Sequence, residues 1–127
     1  MELSIGIITL NAKFIHSSLS LRYLRNAARA EGYKNVWIQE YVINQPLWKI
    51  AADIHKRKPD IIGISIYIWN RAQSFQLIEL LKKQNPALSV VIGGPEVSFE
   101  PSPSSEYTTI SGEGERQWVE FLNRRSR

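Results

Sequence analysis

Short runs dense in β-branched residues and leucine alternate along this chain with segments whose apolar residues recur every three or four positions. That alternation restricts the fold more than any other feature. Leu3-Ser4-Ile5-Gly6-Ile7-Ile8-Thr9-Leu10 is apolar on both faces of an extended backbone, as a strand covered on both sides must be. Ser18 to Glu31 predicts a helix with Leu21, Leu24, Ala27 and Ala28 inward and Gly32 as its stop. Val36 to Tyr41 reads as a second strand. Asn44 and Pro46 open the next helix, which carries Leu47, Ile50, Ala51 and Ile54 at helical spacing and is bounded by Pro59.

Asp60 to Ile66 is a third buried strand. Asn70-Arg71-Ala72-Gln73 fits a capping box, opening a helix with Phe75, Leu77, Ile78, Leu80 and Leu81 on a broad apolar face, and Pro86 ends it. Leu88 to Ile92 is the fourth strand. Val97 to Ser105 is too rich in proline and serine for regular structure and is expected to be a mobile loop over about Ser98 to Ser105. Tyr107 to Ile110 forms a short fifth strand, and Glu113 to Arg124 a last helix burying Trp118, Phe121 and Leu122. Alternating strands and helices require right-handed crossovers. The expected fold is therefore α/β, a flavodoxin-like (Rossmann-like) three-layer sandwich on a five-stranded parallel sheet of order 2-1-3-4-5.

At 127 residues the chain suits one domain. No apolar stretch approaches the ~20 residues of a membrane span. The N-terminus Met1-Glu2-Leu3-Ser4 lacks a basic region ahead of an apolar one, so a cytoplasmic location and no membrane partner are expected. The net charge of +4 invites a nucleic-acid reading. The cations, however, crowd the C-terminal end of the chain, in Arg116, Arg124, Arg125 and Arg127, and the helix end His55-Lys56-Arg57-Lys58, and cations at a helix C-terminus complement its dipole. No nucleic-acid partner is expected. The absence of cysteine excludes disulfides, thiolate metal sites and cysteine nucleophiles within these residues.

In an open parallel sheet, ligands bind outside the carboxyl ends of the strands. Four unusual segments stand there: Leu10-Asn11-Ala12-Lys13, Ser65-Ile66-Tyr67-Ile68-Trp69-Asn70, Val90-Val91-Ile92-Gly93-Gly94-Pro95-Glu96 and Gly112-Glu113-Gly114-Glu115. Gly93-Gly94 serves either a turn that needs positive φ or a surface where ligand touches backbone. On the second view a branched side chain at Gly94 would block the ligand and spare the fold. Gly112-Glu113-Gly114-Glu115 meets no phosphate-loop pattern, and its carboxylates would repel phosphate. His16 suits a metal, a ligand hydrogen bond or the helix start. The Ser65 hydroxyl needs a partner from backbone or ligand once buried. Tyr67 and Trp69 offer a wall for a flat, largely apolar molecule, or plain core.

A phosphoacceptor receiver is excluded, because Asn11 and Ser65-Ile66-Tyr67 stand where it needs carboxylates. Histidine occurs only as His16 and His55, so no nucleophile, base and orienter come together. The domain alone is not expected to catalyse, and no catalytic residue is assigned.

Leu10 to Leu19, Tyr67-Ile68-Trp69-Asn70, Gly93-Gly94-Pro95-Glu96-Val97-Ser98 and Gly112-Glu113-Gly114-Glu115, in that order, resemble the N-terminal domain of the cobalamin-binding radical S-adenosylmethionine enzymes. The resemblance implies one cobalamin-binding domain over 1–127, the N-terminal part of a longer enzyme. Its C-terminal barrel would hold a four-iron four-sulfur cluster and S-adenosylmethionine, in the same polypeptide, for a radical reaction expected to be methyl transfer. Cofactor contacts then fall on Asn11, Ala12, Lys13, His16, Ser17 and Ser18; on Ser65, Tyr67, Ile68 and Trp69; on Gly93, Gly94, Pro95 and Glu96; and on Gly112, Glu113 and Gly114.

Other cobalamin domains carry D-x-H-x-x-G after the first strand. The matching frame here is Phe14, His16 and Leu19, which keeps the histidine and lacks the aspartate that orients it, so no protein ligand to cobalt is expected. The alternative is a flavodoxin-like interaction or regulatory module that has lost its cofactor.

Overall fold

The computed structural model describes residues 3–11, 19–94, 107–110 and 114–126, with backbone alone for residues 19, 20 and 68. Within them lie β1 (Ile5–Asn11), α1 (Leu19–Ala30), β2 (Val36–Val42), α2 (Leu47–Lys56), β3 (Ile61–Ser65), α3 (Arg71–Gln84), β4 (Ser89–Gly93), β5 (Thr108–Thr109) and α4 (Glu115–Arg125). One turn of 3-10 helix, Ile68–Asn70, joins β3 to α3. All pairings are parallel and the order is β2-β1-β3-β4-β5, as the alternating pattern predicts.

The seven residues of β1 are all buried, because they feed both sides of the sheet. Ile8 and Leu10 join Ile62, Ile64, Val90 and Ile92 under α2 and α3, which add Ile50, Ile54, Leu77 and Leu81. Ile5 and Ile7 face the other way, with Ile61, Val91, Leu21 and Ala28 of α1, and Trp118 and Leu122 of α4. The helices therefore divide two and two: α2 packs on α3, and α1 on α4.

Each face carries one indole laid over a glycine. A Cβ on Gly6 would run into the outer ring of Trp37 and stand 2.8 Å from Cδ1 of Ile62. On the opposite face, a Cβ on Gly63 would lie 3.4 Å from the Trp118 ring. Trp118 is 1% exposed, and its Nε1 donates to the Leu24 carbonyl at 3.1 Å, so the one polar atom of the ring is satisfied inside the core.

At the β2 edge, Arg57 links α2 to the sheet. Its guanidinium lies 4.6 Å from the Trp37 ring centre, contacts Asp53 at 3.5 Å and donates to Gln39 at 3.2 Å. Asp53 also accepts from the Tyr41 hydroxyl. Burial first, then this carboxylate, pushes the Tyr41 hydroxyl well above its ordinary value of 10.0.

Most element ends fall within two residues of expectation, but the start of α3 is a correction. Asn70 occupies the N-cap position of α3 and makes no side-chain bond to its first turn, so the expected box with Gln73 does not form. Its Oδ1 instead accepts from the Tyr67 N–H, as the last residue of a capping box across the 3-10 turn. The expected mobile loop at Ser98 to Ser105 lies outside the described residues.

Candidate functional site

The helices start at the carboxyl edge of the sheet, and β1 and β3 send their helices to opposite faces. This is the topological switch point at which open α/β sheets take ligands. Register brings Thr9, Ser65 and Gly93 side by side across the three central strands. One rung below, in the same register, stand Ile7, Gly63 and Val91, next to Trp118. The edge rung thus carries only small side chains on the α1/α4 face, where the next rung carries a packed core.

Polar groups of this rung are ordered. Thr9 is fully buried and its Oγ1 donates to the Ser65 carbonyl at 2.9 Å. Ser65 is 7% exposed, and its hydroxyl makes no hydrogen bond among the described residues. Asn11, at the end of β1, donates from Nδ2 to Oε1 of Glu40 at 2.9 Å. Glu40 lies beside Thr9 in the β1–β2 register and shares the face of Val36 and Ile38, so a carboxylate borders the rung. Sequence reading missed it, although the alternation of Val36, Ile38 and Glu40 along β2 indicates the shared face.

Beyond β3 the chain turns rather than continuing extended. The 3-10 turn brings the rings of Tyr67 and Trp69 into parallel stacking, with centroids 4.6 Å apart and planes within 1°. Trp69 is 40% exposed, so the pair presents an aromatic surface to solvent at the edge. Asn70, fully buried beneath it, accepts from the Tyr67 N–H at 2.8 Å and donates to the Leu10 carbonyl at 2.9 Å. Ile68 sits within the same turn.

The two glycines after β4 differ. Gly94 has φ +113°, and a Cβ there would press into the Ile66 backbone, reaching within 3.0 Å of its nitrogen and closer still to its carbonyl oxygen. Backbone geometry therefore requires glycine at 94, which corrects the expectation that a side chain there spares the fold. Gly93 is under no such demand: an added Cβ would meet the Ile110 carbonyl oxygen at an ordinary 3.7 Å. Gly114 precedes α4 and accepts from the Trp118 N–H, and a Cβ there would crowd Ile110 at 2.7 Å. Ala12, Lys13, His16, Ser17, Ser18, Pro95, Glu96, Gly112 and Glu113 lie outside the described residues. No cluster of metal-ligating side chains occurs among the described residues.

Compared with known families, residues 5–122 match the B12 binding domain. The chain belongs to the B12-binding family. Two curated relatives align with half of this B12-binding domain. One, 33% identical over 69 residues, is the 2-(S-pantetheinyl)-carbapenam-3-carboxylate methyltransferase of Streptantibioticus cattleyicolor. The other, 34% identical over 70 residues, is the cobalamin-dependent radical SAM methyltransferase TokK of Streptomyces tokunonensis. The matched region spans 10% of each relative.

Among solved structures, the cobalamin-dependent S-adenosylmethionine radical enzyme OxsB, with aqua-cobalamin and S-adenosylmethionine bound, superimposes with a TM-score of 0.78. The alignment covers 97% of the B12-binding domain and 19% of OxsB at 21% identity, a likeness of fold. A CheY-like protein, TadZ of Pseudomonas aeruginosa, shares the fold at a TM-score of 0.60 and 19% identity. The described residues include no helix long and apolar enough to cross a membrane.

Proposed function

We propose that residues 1–127 form the cobalamin-binding domain of a longer cytoplasmic radical S-adenosylmethionine enzyme. Its cofactor would lie at the carboxyl edge, between the Tyr67–Trp69 pair and the rung of Thr9, Ser65 and Gly93. The observation that carries this reading is the coincidence of the B12-binding family match with an edge rung of small residues at the switch point. The residues present fit a corrinoid on three counts. The Ser65 hydroxyl lacks a partner among the described residues, the backbone leaves room above Gly93, and the stacked rings form a wall for a flat molecule.

Cobalamin, when bound, supplies a cobalt centre that accepts and hands on a methyl group. The chain's own residues bind and orient. Ser65 and Asn11 serve polar groups of the cofactor's tail and amide arms, Gly93 admits its bulk, and Tyr67 and Trp69 exclude water from one side. Lys13, His16, Ser17 and Ser18 after β1, Pro95 and Glu96 after β4, and Gly112 to Gly114 before α4 complete the ring of contacts. The partner is a C-terminal barrel holding the four-iron four-sulfur cluster and S-adenosylmethionine, in the same polypeptide, and methyl transfer is its reaction. Its relatives are methyltransferases many times longer than this chain, which supports that part of the reading.

The test is direct. The purified chain is mixed with hydroxocobalamin, desalted, and its visible spectrum recorded. Retained pigment at about one equivalent is the expected result; a colourless protein would favour an interaction module that has lost its cofactor.

A further inference from the structure

At the switch point two strands part, and backbone groups that would have continued their ladder lose their partners. The β1–β3 pairing ends at Thr9 and Ser65, yet β1 runs on through Leu10 and Asn11. No β3 residue stands beside the Leu10 carbonyl, and the Tyr67 N–H has likewise left the sheet. The side chain of Asn70 meets both, its Nδ2 donating to Leu10 at 2.9 Å and its Oδ1 accepting from Tyr67 at 2.8 Å. A primary amide offers one acceptor and a donor in a plane, as a peptide unit does. Asn70 therefore stands in for the next rung of the ladder while the main chain turns away.

We propose that Asn70 is the positioning residue of the cofactor site: it fixes the Tyr67–Trp69 wall at a set place relative to the Thr9–Ser65 rung before ligand arrives. The proposal rests on the cobalamin reading above and adds to it the means by which the crevice is preorganised. Three observations support it. Asn70 is fully buried with its polar atoms directed at the two diverging segments, sixty residues apart for the Leu10 bond. It forgoes the N-cap bond its position allows. Its neighbours Thr9 Oγ1, at 3.4 Å, and the Ser65 carbonyl, at 3.5 Å, belong to the edge rung itself, so wall and floor share one group. Preorganisation raises affinity by removing the cost of ordering the site on binding.

The test compares the chain with its Asn70→Ala and Asn70→Asp variants, at a temperature where far-ultraviolet circular dichroism shows each folded. Hydroxocobalamin is titrated by visible absorbance from pH 5 to pH 9, and near-ultraviolet circular dichroism follows the stacked rings. Asn70→Ala is expected to bind about tenfold more weakly and to lose the signal of the stack. Asn70→Asp carries its own control. Burial raises a carboxyl group's pKa, and the neutral acid still donates to Leu10 and accepts from Tyr67, whereas the carboxylate repels the Leu10 carbonyl. No group that titrates near neutrality is among Asn70's hydrogen-bond partners, and the adjoining Arg71 guanidinium lies 5.3 Å from the Phe75 ring centre. Binding and ring signal should both recover as the pH falls and fade as it rises.

Variants that melt earlier but bind with the wild-type Kd, at every pH and with unchanged ring signal, would reduce Asn70 to a structural role and overturn the proposal. Should the wild type itself retain no hydroxocobalamin, the cobalamin reading fails, and the ring signal with its pH dependence in Asn70→Asp decides the positioning role alone. If Asn70→Ala does not fold, the acidic and alkaline arms of Asn70→Asp carry the comparison.

Discussion

Gly94 passes so close to Ile66 that neither residue leaves room for a methyl group between them, and its φ of +113° lies where side chains are strained in any case. Ile66 is fully buried, and its N–H donates to the Gly93 carbonyl at 2.7 Å, so the backbone there cannot retreat. Gly94→Val is accordingly expected to destabilise the fold by on the order of 3 kcal/mol, visible as a lowered urea midpoint. Gly93→Ala should change stability by less than about 1 kcal/mol and weaken hydroxocobalamin retention, because its methyl points over the rung and meets only ordinary contact. A stable Gly94→Val protein, or Gly93→Ala binding at wild-type strength, would refute the division of roles.

His16 lies in a frame that lacks the aspartate of other cobalamin domains, so cobalamin is expected to bind without a protein imidazole on cobalt. His16→Ala should then leave the cobalt spectrum unchanged and cost about fivefold in affinity, the worth of one hydrogen bond. Spectra of both proteins between pH 5 and pH 8 decide it. A difference in cobalt absorption, with binding that weakens as pH falls through about 6.5, would mean ligation instead.

Tyr41 donates to Asp53, and burial with that carboxylate raises its pKa above 10.0. The unfolded chain ionises this tyrosine near its ordinary value and the folded one only at higher pH. Its contribution to stability is thus complete below about pH 10 and is lost as pH rises further, where the unfolded state binds fewer protons. Tyr41→Phe should be less stable by about 1 kcal/mol at pH 7, with the gap closing above pH 10. Parallel urea midpoints for the two proteins from pH 7 to pH 11 would contradict this.

Gly6 carries the outer ring of Trp37 where a side chain would stand. Gly6→Ala should cost about 1–3 kcal/mol by overpacking. Trp37→Leu in the same chain should restore part of the loss by clearing that space, and a double-mutant cycle showing no coupling would dismiss the contact.

The order of elements and the two core faces were legible because they depend on local periodicity: Ile5, Ile7, Ile8 and Leu10 declare a doubly covered strand wherever they fold. The exact use of polar residues was not. Asn70 followed by Gln73 looks the same whether the amide caps its own helix or reaches a carbonyl sixty residues away, since only the tertiary fold brings Leu10 into range. Gly94 is similar, its constraint coming from Ile66, just past the end of β3. Tyr67 and Trp69, two residues apart, read as alternating strand positions, and only the 3-10 turn makes them stack. Ser65 and Gly93 were located from strand ends alone. Their alignment with Thr9 needed the register.

Because β1 gives Ile5 and Ile7 to one cluster and Ile8 and Leu10 to the other, the two helical layers cannot come apart independently. Loosening either exposes the reverse side of the same strand, so the described core should melt in one cooperative transition. A ligand held at the carboxyl edge then shifts that whole transition by mass action, to about 2.7 kcal/mol at a hundredfold excess over Kd. Trp118, against Gly63 on the core rung below the edge, would report occupancy through its unfolding fluorescence without touching the ligand. A thermal scan against a panel of corrinoids could rank which lower base this domain prefers.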